Sequence, residues 1–437
     1  MRRSRLLPAK APAILGYACS FMIMLTTLYK YFLLGNVPWF IVQFGYIGII
    51  GLSLMWLFFT GETSRVGTAV KFTTIYLLPY VMMLLDSMLI WVINRKSMAL
   101  VRRGIVPISY QILQIISIGC ACMMLGEDFA WYMSIGLILG NAAILASVLV
   151  SRGPAVGVAE MIAFYGSMGA DDNLTSRGLE VHDLTFAMGE LVIYYFAFDK
   201  KHPQRILLLV LTSGFFLLGW KRSAIPGALL AVGVGYVCMK MPPKKAIRLI
   251  VTAGLFMILL AYLYIYIVHE GIVEWFSKTY DIDMMGRNEM YAWIGKYYQF
   301  SPSFMGQGIG FITEVMREAI EQGRAALNHE LSIHSDILAR YIELGFFGNI
   351  LWSVLTYIYT FYYIAKHQSS NGGIVYYVLL LFCYITYFTD NTVSYYHINL
   401  VLRALPLCYV YAHQRKILDA LETKDAFQAT RKKKPII

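Results

Sequence analysis

The sequence predicts an all-α polytopic membrane protein, with about twelve transmembrane helices and one large external loop that contains amphipathic helices. Three observations lead there. Of 437 residues, 58% are hydrophobic and only 14% are charged, where an average soluble domain carries about 25% charged residues. Mean hydropathy is +0.58. Several runs of about 20 residues hold almost no charge, the length a helix needs to cross the hydrocarbon core. A soluble globule of this size would expose too much apolar surface to stay dispersed. Residues 1–437 therefore read as a single transmembrane domain.

Taken in order, the apolar runs fall near residues 13–34, 38–60, 72–93, 105–126, 130–150, 183–199, 205–220, 223–240, 246–269, 344–365, 373–390 and 396–413. The basic start (Arg2, Arg3, Arg5) leads into a full-length apolar stretch without a small-residue cleavage pattern, so the first run is expected to stay as a span. Lys and Arg collect in the N-terminal tail, the Lys200–Arg205 turn, the Lys240–Arg248 turn and a basic tail at 414–437. Basic loops stay cytoplasmic, so both termini are expected inside. The outer face then receives two long segments, 151–182 and 270–333. One loop disagrees, because Arg95, Lys96, Arg102 and Arg103 land outside. The net charge of +11 is thus a topology signal and not a nucleic-acid footprint. All six cysteines (Cys19, Cys120, Cys122, Cys238, Cys383, Cys408) lie in apolar runs, which predicts packing residues and neither a disulfide framework nor a metal knuckle.

Between 270 and 333 the composition turns polar and aromatic, punctuated by Gly286, Pro302, Gly306, Gly308 and Gly310, as a small folded cap would be. Residues 311–324 predict an amphipathic helix: Ile312, Val315, Met316, Ala319 and Ile320 recur at helical spacing opposite Glu314, Arg317, Glu318 and Glu321. Its expected place is on the membrane or on the bundle. His329-Glu330-Leu331-Ser332-Ile333-His334 resembles a zinc-protease helix only at a glance, because its histidines are five apart and not four, and no metal is expected.

Three basic positions on the outer face stand out. Arg222, in Trp220-Lys221-Arg222-Ser223, joins two runs with almost no loop and must lie near headgroup level. Arg287 precedes Met290, Trp293, Ile294 and Tyr297, a helical spacing, and so falls in the first turn of a helix. A cation there opposes the helix dipole, and a bound anion would resolve the conflict. The plain alternative for each arginine is snorkelling to lipid phosphate or pairing with an acid. His334 stands at the mouth of a span and suits a general base or hydrogen-bond donor near neutral pH. Asp336 and Arg340, four apart, are expected to pair on the helix surface. Asp86, Asp390 and Arg403, within or at the ends of runs, are expected to form an internal polar network. Tyr280, Tyr291, Trp293, Tyr297 and Tyr298 are candidates for stacking on sugar rings, with packing as the alternative.

Arg222, Arg287 and the His334 segment, in that order on one face, resemble the O-antigen ligase and polymerase superfamily of bacterial surface polysaccharide assembly (Wzy-like). Leu217–Leu230 is similar to its short external turn with an arginine before a small-residue helix. Gly286-Arg287, Trp293 and Gly306-Gln307-Gly308-Ile309-Gly310 resemble the pattern inside its large external loop, and His334-Ser335-x9-Gly345-x-x-Gly348 resembles its H-[NS]-x9-G-x-x-G signature. Leu179–Asp183 is a weaker echo of a further segment and lacks its Pro and Asn. The likeness covers about residues 175–365. It implies a GT-C-like helical fold in the bacterial plasma membrane and a donor made of oligosaccharide on undecaprenyl pyrophosphate. It also implies metal-independent, cofactor-free, inverting transfer to an acceptor hydroxyl on the outer face. Arg222 and Arg287 would clamp the pyrophosphate, as a guanidinium does with fixed geometry and permanent charge. His334 would deprotonate or orient the acceptor, with the carboxylates Glu330 and Asp336 as other candidate bases. Lys221, Arg177 and Arg340 are additional candidates. Expected partners are lipid-linked donor and acceptor, membrane lipids and a chain-length regulator protein, with no nucleic acid. A polymerase extends the chain on a new repeat unit, and a ligase moves it to a different acceptor. A lipid-linked oligosaccharide flippase is the non-enzyme alternative, though such transporters show repeat symmetry and no internal repeat is visible here.

Overall fold

In the computed structural model, residues 11–30, 41–166, 182–199, 203–219, 221, 223–281, 287–322 and 333–432 are described. Among the described residues 86% are helical and none lies in a strand. The helices in order are α1 (Ala11–Lys30), α2 (Ile41–Thr60), α3 (Val66–Ile93), α4 (Met98–Leu125), α5 (Phe129–Arg152), α6 (Pro154–Gly166), α7 (His182–Ala197), α8 (Arg205–Leu218) and α9 (Ala224–Lys240). There follow α10 (Pro243–His269), α11 (Ile272–Thr279), α12 (Arg287–Gly295), α13 (Phe311–Glu321), α14 (Asp336–Ser353), a π-helical turn (Val354–Tyr359), α15 (Thr360–His367), α16 (Ser370–Thr386) and α17 (Tyr396–Lys432).

Among the described residues, six stretches are long and apolar enough to cross a membrane: Ala11–Tyr29, Gln43–Thr60, Val66–Ile93, Met98–Arg152, Pro243–His269 and Asp336–His367. Met98–Arg152 contains α4 and α5 in succession, and α7, α8, α9 and α16 are shorter apolar helices. The bundle is therefore that of a membrane protein. Its outer surface agrees, since Phe58, Val92, Val150, Ile206 and Leu229 are each at least 71% exposed, a distribution that water would not tolerate but lipid does. Inside, α7 and α16 are apolar on all sides and buried almost throughout, as central helices must be. Helix ends follow local chemistry. Ser97, Ser335 and Ser369 cap α4, α14 and α16 by accepting backbone N–H groups from Leu100, Leu338 and Gly372, and Pro243 opens α10. Five of the six cysteines are buried among these helices, and the sulfurs of Cys122 and Cys408 lie 3.8 Å apart.

The amphipathic segment forms α13, with Ile312, Val315, Met316 and Ala319 buried, and it packs on the bundle. The segment 151–182 contains α6, which the sequence reading left without structure. The basic link between α3 and α4 faces α13: Arg103 pairs with Glu314, and Lys96 donates to Gln307 Oε1 at 2.7 Å and lies over the Phe311 ring. Burial draws the Lys96 pKa below the usual lysine value. Of this basic cluster, Arg103 is thus paired by an acid of the large segment, and Lys96 meets a neutral amide and a ring of it. Helix α17 continues past 413 to Lys432, into the basic tail, through a run without Gly or Pro.

The least regular helix is α14. At Gly345 φ is +73° and ψ −174°, so the helical hydrogen-bond ladder stops there. The loop 304–308 supplies what the ladder loses. Gln307 N donates to Ile342 O at 2.9 Å, Gly308 N to Glu343 O at 2.8 Å, and Phe346 N to Phe304 O at 2.8 Å. Gly306, at φ +93°, passes so close that an added Cβ would stand 2.5 Å from Gly345 N. The pair meets backbone to backbone, and each needs the other to be glycine.

Candidate functional site

The site is built around the link between α16 and α17, residues 387–395, where Thr389-Asp390-Asn391-Thr392 interrupts two apolar runs. Four segments distant in sequence end on it. From α12, Arg287 Nη2 donates to Thr389 O at 3.1 Å. One turn later Tyr291 shares a hydroxyl contact of 2.9 Å with Tyr264 of α10, and the Tyr264 hydroxyl donates to Phe388 O at 3.3 Å. From the link between α8 and α9, Lys221 Nζ lies 3.9 Å from Asp390 Oδ2 and 5.9 Å from the centre of the Phe186 ring. From the segment before α14, Asn391 Nδ2 donates to His334 Nδ1 at 3.4 Å, since an amide N–H can only donate. His334 is half-buried and holds φ +48°, the left-handed region that a residue with a Cβ occupies at a cost. Such strain collects at functional positions.

The acids fix this turn. Asp336 Oδ2 accepts from Val393 N at 2.7 Å, and Asp336 N donates to Asp390 O at 3.2 Å. Asp390 Oδ1 accepts from Asn391 N at 2.8 Å and from the Tyr395 hydroxyl at 2.6 Å. Asp336 is 3% exposed and its placement is structural: it clamps the start of α14 to the turn, with its carboxylate already engaged. The arrangement leaves a partly open surface bearing Lys221, Arg287 and His334 over a buried acid framework. Two cations and an imidazole grouped in this way suit a multiply charged anion beside a hydroxyl. Among the described residues, no three His, Cys, Asp or Glu side chains are grouped to hold a metal ion.

Of the residues singled out in the sequence, the fold brings together Lys221, Arg287, His334 and Asp336. Arg222, Arg177 and Glu330 lie outside the described residues. Arg340 stands apart and corrects one expectation: its Nη1 contacts Glu343 Oε2 at 2.9 Å and it makes no ion pair with Asp336. Asp336 sits at the first helical position and turns its carboxylate toward Val393 N, so Arg340 is left to the acid three residues on. Glu343 in turn accepts from Gly310 N at 2.9 Å, which puts the pair in the docking of the large loop. The expected network of Asp86, Asp390 and Arg403 forms in part: Arg403 reaches Asp390 through Asn399 and Tyr395, whereas Asp86 stands outside it. Asp390 lies beyond the end of α16 in the turn, Asp86 lies against Gly348, and Arg403 is held by Gln111, Gln114, Tyr80 and Asn399. The loop aromatics divide as well. Tyr291, Trp293 and Tyr298 are buried packing residues, Tyr297 is half-buried, and Tyr280 is 61% exposed. Sequence reasoning placed Asp390 at the end of a run and gave no role to Asn391 or Tyr395. The polar tetrad between two apolar runs was the available signal.

No family model and no curated protein sequence matches the chain.

Proposed function

We propose that the protein polymerises oligosaccharide repeat units carried on undecaprenyl pyrophosphate, on the outer face of the plasma membrane. The observation behind this reading is the convergence of Lys221, Arg287 and His334 on the turn 387–395 from three segments far apart in the chain. In the proposed reaction the bond between the anomeric carbon and the carrier pyrophosphate oxygen breaks, and the electron pair leaves with the pyrophosphate. Arg287 and Lys221, with Arg222 beside it in sequence, would stabilise that departing charge. The acceptor hydroxyl oxygen bonds to the anomeric carbon from the opposite side and inverts it. His334 would take or direct the hydroxyl proton. With Nδ1 accepting from Asn391, a neutral ring carries its proton on Nε2 and would orient the acceptor oxygen as a donor, the hydroxyl proton then being lost to solvent.

The same reading includes twelve spans in a GT-C-like arrangement with both termini cytoplasmic. The helix ends support two opposite faces. Lys96, Arg103, Lys221, Arg287 and the turn 387–395 gather with the large loop, whereas Arg65, Glu127 and Arg415 gather at the other end, where Arg415 pairs with Glu127 at 2.8 Å. Transfer to a different acceptor, as by a ligase, uses the same groups. The product of a gene deletion separates the two: single repeat units on the usual acceptor indicate a polymerase, and long chains left on the carrier indicate a ligase. Repeat units trapped on the inner leaflet would overturn both in favour of a flippase. Within the polymerase reading, Arg287→Lys should lose most activity, because an ammonium cannot reproduce the bidentate fork. Full-length polymer from that variant would remove Arg287 from the clamp.

A further inference from the structure

Arg403 lies inside α17 and is 4% exposed, yet only neutral groups meet its guanidinium: four side-chain oxygens and the Tyr80 ring, 5.0 Å away. Nη1 donates to Gln111 Oε1 at 3.2 Å and Gln114 Oε1 at 3.1 Å, and Nη2 donates to Asn399 Oδ1 at 2.8 Å and to the Tyr80 hydroxyl. Among the described residues no carboxylate pairs with it. Glu190, the fully buried acid of α7, accepts instead from Cys383 Sγ at 3.2 Å, and Asp336 and Asp390 are engaged in the turn. Hydrogen bonds and the Tyr80 ring satisfy this guanidinium but put no negative charge in contact with it, and a buried charge without an ion-pair partner is destabilising.

Beside Arg403 is a cavity of about 30 Å³, lined also by Tyr76, Tyr80, Thr356, Thr360 and Asn399. Two hydroxyls on its wall, Tyr76 Oη and Thr356 Oγ1, are buried and have no hydrogen-bond partner. Thr356 belongs to the π-helical turn, and Thr360 closes that turn by donating to Leu355 O at 2.8 Å. Orphaned buried donors beside a cation without an ion-pair partner mark a place for something not made of protein. A water needs about 10–15 Å³ of such space, so this cavity takes one or two bodies of that size and no polyatomic oxyanion. A water would satisfy the hydroxyls and leave the guanidinium charge unmet, whereas a monatomic anion answers both.

We infer that this cavity is a binding site for a monatomic anion, chloride under physiological conditions, held by Arg403, Tyr76 and Thr356. The inference does not depend on the proposed transfer reaction. It has a bearing on the site above it, because Asn399 Nδ2 donates to Val393 O at 2.8 Å and to Tyr395 O at 2.7 Å, and Val393 also lines the cavity. The ion therefore braces the turn 387–395 from beneath.

The test is equilibrium binding of radiolabelled chloride to the purified full-length protein in detergent, with gluconate as the balancing anion. One saturable site per chain is expected, displaced by bromide and indifferent to gluconate. Tyr76→Phe and Thr356→Val each remove one donor with little change of shape and should weaken binding by roughly ten-fold. Arg403→Gln should abolish it. Since loss of Arg403 can also disturb packing, the two hydroxyl deletions decide the matter, together with a melting temperature that is higher in chloride than in gluconate at equal ionic strength. A wild-type protein without saturable chloride binding, as when the cavity holds only water, overturns the inference. So does binding that survives both hydroxyl deletions unchanged.

Discussion

Replacing Gly306 with alanine places a methyl group where the loop 304–308 meets the interrupted helix α14. The added Cβ would stand 2.5 Å from Gly345 N and 2.6 Å from Glu343 O, both backbone atoms that cannot swing aside as a side chain would. At φ +93° the new residue is also held in a backbone region that L side chains avoid, at about 1–3 kcal/mol. Relief requires the strands of backbone to part, which removes the bonds from Gln307 N to Ile342 O, Gly308 N to Glu343 O and Phe346 N to Phe304 O. Each is worth about 1 kcal/mol net, and more where water cannot replace the lost partner. The combined loss is about 4–6 kcal/mol, a large share of the stability of a folded domain. Thermal unfolding of the purified protein in detergent, followed by tryptophan fluorescence, reads it. Gly345→Ala should behave alike, since its Cβ would fall on the Met305 backbone. Gly51→Ala is the control: this helical glycine in α2 has nothing within 4 Å of an added Cβ, and alanine there should leave the melt unchanged or raise it slightly. If Gly306→Ala melts with the control, the loop does not hold the helix break and the account given for α14 is wrong.

Other outcomes follow from the same geometry. His334→Gly relieves the left-handed backbone at φ +48° and should leave stability equal or about 1 kcal/mol higher while stopping transfer. A variant that melts lower would make His334 a packing residue. Asp336→Ala strands the buried Val393 N–H and should cost about 1–3 kcal/mol, whereas Asp336→Asn keeps an acceptor and should recover most of that. Equal melting temperatures for the two variants would show that the clamp on the turn is not formed. Single cysteines introduced at Tyr280 and Lys245 should react with an impermeant maleimide from opposite faces of the membrane, both residues being exposed at opposite ends of α10 and its flanks. Labelling from one face alone would refute the orientation.

What the sequence made legible was set by local physics. Apolar run length fixed where helices would lie, and the spacing of Ile312, Val315, Met316 and Ala319 fixed which face of α13 would be buried. Arg287 fell in the first turn of its helix, as its flanking pattern required. The features that escaped depend on partners remote in the chain. Gly345 reads as an ordinary residue of the H-[NS]-x9-G-x-x-G pattern until the loop around Gly306 lies against it. Asp336 four residues before Arg340 looks like a helix-surface pair, yet Val393 N competes for its carboxylate and wins because that N–H is buried. The contact of Arg103 with Glu314, more than 200 residues on, was likewise invisible in the local sequence.

The docking of residues 304–308 on 342–346 also sets the unit in which this protein can be recombined. A chimera that imports a foreign segment at 270–333 but retains the helix at 336–367 inherits an interrupted helix without the stretch of backbone that completes it. The carbonyls of Ile342 and Glu343, both buried residues, would then lose the N–H groups of Gln307 and Gly308. Loop and helix must be exchanged together, with their junction cut no earlier than the π-helical turn beginning at Val354.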